Sequence, residues 1–138
     1  MDLVIFTSIV TALRGVLGLA NDLAKADDDR REKIAAWMQE LGEIVNFVAD
    51  KLELNQYPHQ ACGAMSIMVD KFPIIVGDII PRVEVLDMQT KLRSAIEIER
   101  LYGEFVPLDQ NDRLEHINTL LNLSGQLKGL SSLIKYAE

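Results

Sequence analysis

The side chains best suited to chemistry in this chain are few. Its one cysteine, Cys62, follows His59 by three positions, and His116 is the only other histidine. Residues three apart on a helix share a face, so His59 and Cys62 are placed to touch. A thiol beside an imidazole can serve as nucleophile and base, or supply half of a metal site. That makes the pair the candidate centre of a small-ligand or redox sensor. The plainer reading has His59 in the first helical turn after Pro58 and Cys62 as a small buried apolar side chain. With no second cysteine, an internal disulfide and a multi-cysteine zinc site are both excluded, and the usage fits a reducing, cytoplasmic compartment.

Other chemistries fail on spacing. A di-iron bundle needs Glu-x-x-His on two helices, and neither histidine has a glutamate three positions before it. The glycine pairs Gly15/Gly18 and Gly125/Gly129 lie inside helical patterns with no strand before them, so they are not phosphate cradles. Asp27, Asp28 and Asp29 are consecutive rather than alternating, which excludes a calcium loop of the EF-hand kind. The expectation is a protein that is not an enzyme and needs no cofactor and no metal.

What must position any function is therefore the scaffold. The chain has 138 residues, 49% of them apolar and 25% charged, with 14 Lys and Arg against 21 Asp and Glu for a net charge of −7. That is one domain (residues 1–138), large enough to bury a core without staples. The acidic balance argues against nucleic acid as a partner, since phosphate contacts need a basic face.

Periodicity predicts an all-α, four- to five-helix bundle with no strands. The first helix, residues 2–26, carries Thr7, Thr11, Arg14, Gly18, Asn21 or Asp22, and Lys25 in one narrow row and apolar residues around the rest of its circumference. It lacks the basic start of a secretory signal. As a membrane span it would place Arg14 near the bilayer centre, at a cost of at least ~2.5 kcal/mol. The second helix, 28–54, repeats Ile34, Met38, Leu41, Val45, Val48 and Leu52 at alternating steps of four and three, the pattern of shallow helix packing. The third begins at Pro58 and is broken by Pro73 before Pro81. A fourth covers 83–105. A fifth, 112–136, aligns Leu120, Leu123, Leu127, Leu130 and Ile134, and between Ile117 and Ile134 its only charge is Lys128.

Positive features lie on surfaces. Glycine inside a helix costs up to ~1 kcal/mol relative to alanine, and its usual reason is the close approach of another helix. Thr11 and Gly15 form one small-xxx-small pair, Gly125 and Gly129 another. Charge is concentrated in the middle helices, which leaves the two terminal ones nearly bare. The expected association face is Leu3, Phe6, Val10 and Leu17, with Thr11 and Gly15 as close-contact points and Arg14 setting register. It would meet a protein partner or a second copy of the chain. The alternative is a membrane-acting effector that contacts lipid through its N-terminal helix.

The run from Asp28 to Trp37 (DDRREKIAAW), the run from Tyr57 to Cys62 (YPHQAC) and the run from Ile98 to Tyr102 (IERLY) together resemble a helical domain of uncharacterised bacterial, especially cyanobacterial, proteins. Such modules are similar to the adaptor or effector-associated domains of bacterial conflict and signalling systems. The layout, a bundle led by an apolar helix, is also similar to the four-helix bundles of MLKL-like and HeLo-like cell-death effectors. The first resemblance implies a non-catalytic interaction module in signalling or defence. The second implies a bundle that oligomerises and meets a membrane with its first helix, although this chain is acidic and that helix offers only Arg14 and Lys25 to anionic lipid.

Overall fold

A computed structural model describes residues 3–94 and 98–137, with the side chains of Cys62, Ser94, Ile98 and Glu99 outside the description. Its helices are α1 (Val4–Leu17), α2 (Ala20–Leu23), α3 (Asp28–Glu53), α4 (Ala61–Val76), α5 (Arg82–Ser94), α6 (Ile98–Phe105) and α7 (Gln110–Lys135). Among the described residues there is no strand, and the class is all-α as the periodicity predicts.

Aspartates start the two longest helices. Asp27 is extended (φ −67°, ψ 169°), and its carboxylate accepts a hydrogen bond from the Arg30 N–H at 2.9 Å. Asp109 does the same for the Asp112 N–H at 2.8 Å. Each satisfies one of the free N–H groups of a helix start and places negative charge at the positive end of the helix dipole. The last helix is therefore capped by Asp109 and begins at Gln110, not at the expected Asp112.

These two helices lie against each other in opposite directions. The Ser131 hydroxyl donates to the Ala35 carbonyl at 2.6 Å, and the Ser124 hydroxyl donates to the Gly42 carbonyl at 2.7 Å. Gly42 makes the approach possible: a Cβ there would stand 3.1 Å from the Ser124 carbonyl oxygen and 3.0 Å from Lys128 Cγ. From this pair the helices close a ring, α7 on α3, α3 on α4, α4 on α5, α5 on α1 and α1 back on α7, with α6 touching α1 and α4. Inside the ring Leu13, Met38, Leu41, Phe72, Leu92 and Phe105 are fully buried. Trp37 packs against Phe72 with the rings tilted and their centroids 5.4 Å apart, and it donates its indole N–H to the Met68 carbonyl at 3.0 Å.

The expected break at Pro73 does not occur. Proline has no N–H for the carbonyl four residues earlier, which here belongs to Val69. The side-chain amide of Gln89, on α5, donates to that carbonyl at 3.4 Å instead. α4 runs through Pro73 and ends at Gly77, whose φ of 53° a side chain would resist. Arg30 closes this end, its guanidinium 3.4 Å from the Val76 carbonyl and 3.9 Å from the Asp78 carboxylate. Nor does Pro58 open the helix. Residues 58–61 form a turn, with the Ala61 N–H on the Pro58 carbonyl at 3.1 Å, and α4 begins after it. The expected first helix is also interrupted, at Gly18 and Leu19, between α1 and α2. Of the expected fourth helix, residues 95–97 lie outside the described residues.

Candidate functional site

The later start of α4 puts the two residues of the sensor reading in different elements. His59 lies in the turn before the helix, exposed, with its ring edge-on to Tyr57 at 4.6 Å; Tyr57 in turn meets Tyr102 at 5.5 Å. Cys62 lies in the first turn of α4, and its side chain is outside the described residues. His116 belongs to an apolar cluster, 4.7 Å from Phe6 and 6.0 Å from Phe105 between ring centroids. Among the described residues, no three His, Cys, Asp or Glu side chains come together in a way that could hold a metal ion.

The expected association face divides when folded. Phe6 and Val10 are buried in the core, so they offer nothing to a partner in this arrangement. The physical reason is that α1 has neighbours on three sides, α5, α6 and α7, and these take up most of its apolar circumference. Gly15 has its close neighbour inside the chain: a Cβ there would stand 2.5 Å from the terminal methyl of Met88. Leu3 and Leu17 are half-buried, and Thr11 and Arg14 are exposed. Of the seven residues, Leu17 lines a groove.

That groove lies between the end of α1 and α7. It encloses about 460 Å³ and is lined by Leu17, Gln126, Gly129, Leu130 and Leu133. Leu133 is 68% exposed and Tyr136 is 75% exposed. Along the outer side of α7 the exposed residues from 117 to 134 are Asn118, Asn122, Gly125, Gln126, Gly129, Ser132 and Leu133, none of them charged. Lys128, the one charge in this stretch, is half-buried and leans over α3 against Gly42. A Cβ built at Gly125 or at Gly129 would meet nothing within 4 Å. Gly63 and Gly103 are equally open, but each stands alone and neither lines this groove.

Two further grooves are different in character. One, of about 590 Å³, runs between α3 and α7 and mixes Glu32, Lys33 and Lys135 with Gln39, Ser132 and Tyr136. The other, of about 230 Å³, lies between α3 and α4 beside Glu40, Glu43 and Phe47. The sequence signal for the α7 face was the near absence of charge between Ile117 and Ile134 together with Gly125 and Gly129. Leu133 escaped notice because it falls just off the buried seam. Compared with known proteins, the chain matches no family model, no curated relative and no solved structure.

Proposed function

We propose that this chain is a non-catalytic association module. It joins a second copy of itself through the uncharged outer face of α7 and the adjoining end of α1. The observation that carries this reading is the contrast among glycines. Gly15 and Gly42 each have a neighbour inside the bundle that explains the missing side chain, whereas Gly125 and Gly129 face open space. Mid-helix glycines cost about 1 kcal/mol each relative to alanine, and nothing within the fold recovers it at these two positions. A second copy suits the face because the chain carries a net charge of −7. Two such molecules repel over most of their surfaces, and a neutral strip lets them meet without opposing like charges. The resemblance to bacterial adaptor domains gives the setting, signalling or defence, in which self-association would assemble an attached effector.

Light scattering across micromolar to millimolar concentration tests this. The expected result is a monomer–dimer equilibrium that Leu133→Glu and Gly129→Glu each shift at least tenfold towards monomer. A wild-type chain that stays monomeric throughout that range overturns the reading.

A membrane-acting reading is favoured by one observation. Val4–Leu23 is long and apolar enough to cross a membrane by length and composition, and 39% of its most apolar window is buried in the bundle. Sedimentation with vesicles of anionic phospholipid is the expected consequence; protein left entirely in the supernatant removes this reading.

A further inference from the structure

α1 has no start signal of its own. Leu3, at its cap position, makes no side-chain hydrogen bond, and no acidic residue stands in the first turn. A helix start leaves N–H groups without partners, and a side chain at the cap ordinarily serves those of the second and third helical residues. In α1 these are Ile5 and Phe6. Both are taken by Glu104, at the far end of the sequence: Oε2 accepts from the Ile5 N–H and Oε1 from the Phe6 N–H, each at 2.9 Å.

Glu104 is held firmly for this task. It lies in the last turn of α6, and Arg113 of α7 donates from Nη2 to the Phe105, Val106 and Leu108 carbonyls at 3.4 Å, fixing the end of that helix. The next residue, Phe105, packs on Phe6 with ring centroids 5.8 Å apart. The start of α1 is thus tied to α6 by two charge-assisted hydrogen bonds and one aromatic contact. Towards its other end α1 is bounded by Gly18, where the helix stops before α2.

We infer that Glu104 is a clasp, and that α1 is a detachable unit whose docking depends on that carboxylate. An undocked α1 loses its cap as well as its packing, so release and fraying occur together. Release uncovers the side chains that α1 shelters, Met88 on α5 and Phe105 on α6 among them. The inference does not rest on self-association and is tested at concentrations where the chain is monomeric.

Amide hydrogen exchange resolved along the sequence is the test. In the wild-type chain, α1 is expected to exchange through a local opening that precedes the opening of α3 and α7. Glu104→Gln keeps the size of the side chain but leaves one acceptor and sets an NH2 against the second N–H. It should speed exchange in α1 at least tenfold while α3 and α7 stay unchanged. Leu3→Asp in that background supplies a local cap to the same two N–H groups and should restore most of the protection. The inference is overturned if wild-type α1 exchanges only in step with α3 and α7 as denaturant is raised. It is equally overturned if Glu104→Gln speeds all helices alike or none, or if Leu3→Asp restores nothing.

Discussion

α3 and α7 are each 26 residues long and lie antiparallel against one another, yet their outward sides differ in kind. α3 presents Glu32, Lys33, Glu40, Glu43, Asp50 and Glu53 to solvent, the ordinary surface of a helix at the edge of a bundle. Between residues 117 and 134, α7 presents amides, a hydroxyl, two glycines and Leu133. Their glycines point in opposite senses as well. Gly42 of α3 faces inward and lets α7 come close, while Gly125 and Gly129 of α7 face outward onto nothing. Equal length and equally regular inner seams thus say little about the task of a helix. The side turned away from the core distinguishes a strut from a surface that awaits contact.

Six substitutions probe that difference. Gly42→Leu should have the largest effect, a loss of about 2–3 kcal/mol from overpacking the α3–α7 contact, read as a lowered urea midpoint. An unchanged midpoint would mean that the two helices do not meet there. Ser124→Ala and Ser131→Ala each remove a buried interhelical hydrogen bond and should cost about 1 kcal/mol in the same measurement. At the open positions the sign reverses: Gly125→Ala and Gly129→Ala should each raise the stability of the monomer by about 0.5–1 kcal/mol. A loss there would show that these glycines are already packed. Smallest of all, Glu40→Gln on the charged side of α3 should change stability by less than about 0.5 kcal/mol. A larger shift would remove the distinction between the two outer faces.

Much of this scaffold is legible in the order of residues. Ile34, Met38, Leu41, Val45, Val48 and Leu52, the expected seam of the second helix, are all buried, and Thr7, Thr11, Arg14 and Gly18 form an exposed row on the first helix and its end. Local period and local caps suffice for such elements. What cannot be read is whatever a distant part of the chain supplies. Pro73 looks like a break until Gln89 is found on the Val69 carbonyl. The start of α1 looks uncapped until Glu104 arrives from 98 and 99 positions away. The candidate site shows the same limit. Phe6 and Val10 are apolar residues on an apolar helix, and sequence alone does not distinguish a side chain that faces its own core from one that faces a partner. The uncharged stretch of α7 was visible, but its meaning depends on knowing that Lys128 leans over α3.

The serines that join α3 to α7 span 82 and 96 residues of chain. Helical proteins usually fold fast because their contacts are local, and pairings of such sequence separation slow the search. The chain should therefore fold slowly for an all-α protein of its size. During synthesis the hydrophobic side of α3 has to wait, without its main neighbour, until α7 has left the ribosome. Variants that weaken this late closure would be expected to reveal themselves first as poor recovery of folded protein from cells.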